Sequence, residues 1–164
     1  MSLPAPRTSP ATGFLTLFLL QAGAWSCAAP AAEVRSHVVR LKPGQELKTE
    51  LARLAREQHL GAANVVSAVG SLTHVALRFA NQEATTLREG HFEVVALSGY
   101  LADGEFHLHM AVSDGTGATF GGHVMEGNRV YTTLVLAIDE HPRLRYRRQY
   151  DPASKYDELV IEER

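Results

Sequence analysis

The stretch Phe106–His123, FHLHMAVSDGTGATFGGH, decides how this chain folds. Phe106, Leu108, Met110 and Val112 alternate with polar or small residues, the period of a half-buried strand. SDGTG then supplies turn residues, and Ala118–His123 leads away from them. Strand, short turn and strand read as a hairpin, and a hairpin is antiparallel.

The same stretch carries three histidines. On a strand that buries Phe106, Leu108, Met110 and Val112, Glu105, His107 and His109 face the other way. Two strand residues put the histidine Cα atoms about 7 Å apart, so rings that lean together can share a metal. The place of His123 depends on parity. Pairing Ser113 with Gly117 leaves the three-residue loop Asp114-Gly115-Thr116 and sets His107 opposite His123. Pairing Ser113 with Ala118 sets His123 opposite Leu108, in the core, because a slip of one residue flips every side chain. An odd loop therefore gathers His107, His109 and His123 on one face. Gly121 and Gly122 leave room for another backbone or a ligand.

Three imidazoles suit zinc with a fourth position open, and they also suit copper, nickel and iron. Glu105 on that face, or Glu126, is the candidate general base. The competing reading is a polar outer face or subunit seam held by hydrogen bonds. His37, His59, His74 and His141 stand outside any cluster. The serines lack the nucleophile-elbow setting, and Gly115-x-Gly117 is too short to cradle a phosphate.

Outward from the hairpin, Val34–Leu41 reads as a first strand and Pro43-Gly44 as a turn. Leu47, Leu51, Leu54 and Ala55 recur at helical spacing within Gln45–Leu60, with Arg53 able to pair with Glu57. Gly61 stands where a left-handed residue ends a helix. Asn64–Val69, ending at Gly70-Ser71, Thr73–Phe79 and Phe92–Leu97, bounded by Gly90 and Gly99, read as further strands, and Val130–Ile138 is the strongest of all. Arg143–Gln149 reads as a last exposed strand or arm, and the tail from Asp151 as polar and mobile. The fold class is α/β of the α+β kind: a mainly antiparallel sheet of six to seven strands with one main helix packed on it. The chain divides into a leader at 1–32, a domain at 33–142 and an arm and tail at 143–164.

The 164 residues are 45% hydrophobic and 21% charged, an ordinary globular composition. A net charge of -2 gives no basic excess for phosphates. With one cysteine, Cys27, the chain can form neither an intrachain disulfide nor a multi-thiolate zinc site. The leader holds no acid and one base, Arg7. Its apolar run Phe14–Ala24 ends in an A-x-A pattern and is too short to span a membrane. It reads as a secretory signal peptide, with a mitochondrial presequence or a cytosolic chain with an inert leader as alternatives.

LKPGQEL before the helix, ANVVSAVGSLTHVALRF after it, GHFEVVALSGYL, and the Phe106–Ile138 stretch occur in that order. Together they resemble the PPC domain, the "plants and prokaryotes conserved" domain, from Val34 to Asp139. The resemblance implies an α/β fold with a largely antiparallel sheet, and homotrimers. In plant members an AT-hook binds DNA while this domain handles self-association and protein contacts. Bacterial and archaeal members are mostly stand-alone and carry the His-x-His and Gly-Gly-His elements. Here there is no Arg-Gly-Arg-Pro hook, so nucleic-acid binding is not expected. Arg143, Arg145, Arg147 and Arg148 read as charges guarding an edge strand rather than as a phosphate patch. The family's GRFE is GHFE in this chain, with His91 in place of arginine. The function expected is that of an oligomeric domain binding a divalent metal, zinc first, through His107, His109 and His123. The alternative is a non-catalytic self-association module. No small-molecule substrate is named by the residues.

Overall fold

The computed structural model describes residues 33–164; the leader and its targeting reading lie outside the described residues. Within them the order is β1 (Arg35–Leu41), α1 (Leu47–Glu57), β2 (Ala63–Arg78), β3 (Thr86–Ala102), β4 (Glu105–Asp114), β5 (Thr119–Val124), β6 (Arg129–Glu140), β7 (Leu144–Asp151) and β8 (Tyr156–Glu163). Six strands form one sheet in the order β1-β6-β2-β3-β4-β5. All of its pairings are antiparallel, and β2 also pairs with β5, so β2 to β5 close on themselves. The expected helix-on-antiparallel-sheet architecture is present.

Alternation sets the core. Val130, Leu134, Leu136 and Ile138 of β6 are buried with Val75 and Leu77 of β2 and Leu108, Met110 and Val112 of β4. The helix closes one side with Leu47, Leu51 and Ala55. Each buried leucine contributes about 2 kcal/mol of apolar transfer free energy, an upper figure for a compact unfolded chain.

Both helix ends are capped. Glu46 accepts from the Thr49 N–H at 2.7 Å, and its other oxygen accepts from Gly127 and Asn128 at 3.1 and 3.2 Å. At the far end the left-handed residue is His59, φ 55, and not Gly61. Leu60 N–H donates to the Ala55 carbonyl and His59 N–H to that of Arg56, a Schellman pattern whose apolar pair, Ala55 and Leu60, is buried. Burying Leu60 one residue before the glycine is what pulls the turn forward. Arg53 bridges both Glu57 and Glu50 on the solvent side.

Two glycine readings are corrected. Gly70 and Gly99 do not end strands; β2 and β3 run straight through them for 16 and 17 residues. A Cβ at Gly70 would stand 2.1 Å from the Thr133 carbonyl oxygen, and one at Gly99 2.0 Å from that of His107. The glycines mark where neighbouring backbones press together, and register shifts beside Gly70 add local bending.

The C-terminal tail from Asp151 is also corrected. It turns back and pairs with β7 residue by residue, giving eight strands where six or seven were expected. Leu144, Tyr146 and Leu159 pack this ribbon on Ala62, Tyr100 and Ala102, with Tyr146 buried. Only three of its apolar residues face the domain, too few to stand out in a charged sequence.

Candidate metal centre

Asp114 sets the hairpin. Its Oδ1 accepts from the Thr116 and Ala118 N–H groups at 2.8 and 3.1 Å and from the Thr116 hydroxyl at 2.6 Å. Asp114 N–H donates to the Ala118 carbonyl and Gly117 N–H returns to the Asp114 carbonyl, with Gly117 at φ 85. Ser113 consequently pairs with Thr119 and not with Gly117. The tight turn sits one residue later than expected because Asp114 initiates it. Parity stays odd, so His123 lies on the face of His107 and His109, but its direct partner is His109 rather than His107.

Neighbouring strands extend that row. Arg78 of β2 pairs with His123, and Ser98 of β3 pairs with His109. One step along, Tyr100 pairs with His107 and stacks on it at 5.2 Å between ring centroids. The Gly-Gly element lets β5 fit between its neighbours. A Cβ at Gly121 would meet the Met110 carbonyl oxygen at 2.7 Å, and one at Gly122 that of Arg78 at 2.7 Å. The space these glycines leave is filled by backbone.

The three rings converge, with centroids 4.7 to 5.5 Å apart. One nitrogen from each lies within 4.8 Å of the others. Burial of His123 beside His107, Arg78 and His109 pushes its imidazolium down to about 4. Burial, then Arg148 and His109, also hold the His107 imidazolium below the usual histidine range. Both rings are therefore neutral at physiological pH, the form that ligates. His123 Nδ1 is buried and has no hydrogen-bond partner. An orphaned buried nitrogen costs about 1–3 kcal/mol unless something takes its lone pair or proton. Three converging imidazoles, one with an orphaned nitrogen, fit a borderline-soft divalent cation.

The cleft over the rings, about 470 Å³, is walled by Arg78 and by Arg148, Tyr156, Asp157 and Glu158 of the β7–β8 ribbon. The acids beside the histidines are thus Asp157 and Glu158. Glu105 and Glu126 line a separate cleft with Lys48, Thr49 and Arg56 of the helix. Asp157 and Glu158 both lie on β8, whose sequence signal is the alternation of Leu159 and Ile161 after Asp157-Glu158. The four arginines of RLRYRR are split. Arg147 pairs with Glu162 on the ribbon, while Arg148 contacts His107. The other histidines are apart from the cluster: His37 meets Glu140 at 3.2 Å, His74 meets Thr73 at 2.8 Å and His141 meets Asn64 at 2.9 Å. His91 lies against the Tyr131 ring.

Residues 29–142 match the sequence profile of the Plants and Prokaryotes Conserved (PCC) domain. A segment of the bifunctional protein GlmU of Synechococcus sp. (strain JA-2-3B'a(2-13)) is 45% identical over 133 residues, 81% of this chain and 21% of that protein. The chain therefore spans about a fifth of the length of this curated relative. The solved structure of a hypothetical protein from Salmonella cholerae-suis (Salmonella enterica) is 47% identical with a TM-score of 0.80, over 82% of this chain and 98% of that one. A metal-containing protein from Archaeoglobus fulgidus shares the fold at 21% identity, with a TM-score of 0.63 over 77% and 93%. Ordered motifs, antiparallel topology and this profile match agree: the chain belongs to the Plants and Prokaryotes Conserved domain family.

Proposed function

We propose that this domain binds one divalent cation, zinc first, through His107, His109 and His123. The observation that carries the reading is the convergence of one nitrogen from each ring within 4.8 Å, in a cluster where His123 also has a buried Nδ1 without a hydrogen-bond partner. The Archaeoglobus protein of the same fold is described as metal-containing, which supports it. A zinc ion held by three imidazoles supplies Lewis acidity at its open position. Tyr100 fixes the His107 ring by stacking, and strand pairing fixes the other two. Elemental analysis of the purified full chain tests the reading. One metal per chain is expected, lost in His107→Ala and His123→Ala and kept in His74→Ala. Metal-free protein after loading with zinc and dialysis would leave hydrogen bonding as the histidines' role.

The domain acts as a homotrimer in this reading. Val38, Val69, Leu87, Val95 and Tyr131 stand exposed on the sheet, from 43% to 74%. Large apolar side chains exposed in this number on a small domain favour a covering surface. Light scattering that gave a monomer mass would remove the assembly.

A further inference from the structure

Arg148 makes a contact that a cation at the histidines excludes. Its Nη1 lies 3.2 Å from His107 Nδ1. A guanidinium only donates, so Nδ1 accepts there and the neutral ring carries its proton on Nε2. A cation at Nε2 would leave the proton on Nδ1, facing a donor. A cation at Nδ1 would take the lone pair that Arg148 uses. By either route metal entry releases Arg148 from His107.

The released group stays at the cleft, because Arg148 Nη2 donates to the Asp157 carbonyl at 2.6 Å. Arg78 lines the same cleft, with its backbone paired to His123 and a single long contact, 3.4 Å, to the Gln82 carbonyl. Neither guanidinium has a carboxylate within 4.0 Å among the described residues. The acids of the cleft, Asp157 and Glu158, are exposed on β8, and neither joins the histidines as a ligand group. They balance the two arginines but not a dication in addition, so the loaded cleft carries excess positive charge.

Resting on the reading that the histidines hold a dication, we propose that the loaded cleft binds a small oxyanion, a carboxylate or a phosphate, between Arg78 and Arg148 beside the cation. Guanidinium groups match both oxyanions through paired N–H donors. The β7–β8 ribbon, which supplies Arg148, Asp157 and Glu158, lies beyond the profile-matched residues 29–142. Metal and anion bind cooperatively, because the metal frees the arginine that the anion uses.

The test uses the full chain loaded with cobalt(II), titrated with inorganic phosphate and with malonate and followed by visible absorption. A saturable spectral change is expected with at least one of them. Response to phosphate alone assigns a phosphoryl ligand, and response to malonate alone a carboxylate. Arg78→Ala and Arg148→Ala should each keep the cobalt stoichiometry and weaken the anion at least about tenfold, the scale of one charge-assisted hydrogen bond. Without anion, Arg148→Ala should bind zinc more tightly than the wild type, since the competing donor is gone. Cobalt uptake with no response to either anion overturns the inference and leaves the metal reading intact. So does anion affinity unchanged in both variants. A chain that takes up neither cobalt nor zinc overturns the metal reading, and this inference with it.

Discussion

Replacing Gly99 by alanine should damage the fold and the histidine cluster together. Gly99 lies on β3 opposite Leu108, between the pairs that place His107 and His109. A Cβ there would stand 2.0 Å from the His107 carbonyl oxygen and 2.9 Å from Leu108 Cα. Both are backbone atoms of a central strand and cannot rotate away. The position also has φ +149, a conformation that costs a residue with a side chain about 1–3 kcal/mol. Overpacking against backbone adds about 1–3 kcal/mol. The expected loss is about 2–6 kcal/mol, a fall in Tm of roughly 5–25 °C for a domain of this size. Gly44→Ala is the control. Gly44 has φ +82 and nothing within 4 Å of its would-be Cβ, so only the left-handed penalty of about 1–2 kcal/mol applies. Urea unfolding of the two variants isolates the close approach. Zinc affinity should fall in Gly99→Ala and hold in Gly44→Ala. Equal unfolding free energies would refute the claim that β3 and β4 are pressed together at the histidines.

Asn128→Ala should cost about 2–4 kcal/mol in urea unfolding, because its buried amide accepts from Ala76 N–H and donates to the Ala76 and Met125 carbonyls. Tyr146→Ala should loosen the β7–β8 ribbon first. Hydrogen exchange should then quicken in β7 and β8 while β2 and β6 keep their protection, since the ribbon packs on the domain through a small separate cluster. The metal-free chain should lose stability on acidification from pH 6.5 toward about 4. Across that window the unfolded His123 binds a proton that the folded ring, held at about 4, does not. Above pH 6.5 the ring is neutral in both states and its contribution is flat. Urea midpoints against pH for the wild type and His123→Asn check this, and the variant should show the shallower slope.

Much of this was legible in the sequence through period and parity. Alternation at Phe106–Val112 placed the histidines opposite the core, and an odd turn carried His123 to their face. The register was not legible, because it depends on which residue starts the turn. Asp114 does so by accepting three local hydrogen bonds, which moves the partner of His123 from His107 to His109. Gly70 and Gly99 looked like strand ends because sequence shows a missing side chain and not the backbone that fills its place. The second strand of the ribbon, β8, was lost because its apolar residues stand among charges, and Leu159 alone joins Leu144 and Tyr146 of β7 on the domain. Tyr156, Asp157 and Glu158 were lost with β8, and Arg148, legible only as an edge-strand charge, turns instead to His107.

The most direct test of the central claim is anomalous diffraction at the zinc edge from crystals of the zinc-loaded chain. A single strong peak among the rings of His107, His109 and His123, with Arg148 swung off His107, is the predicted result. Full zinc loading with no peak there, or with the peak elsewhere, such as between His37 and Glu140, would contradict the account.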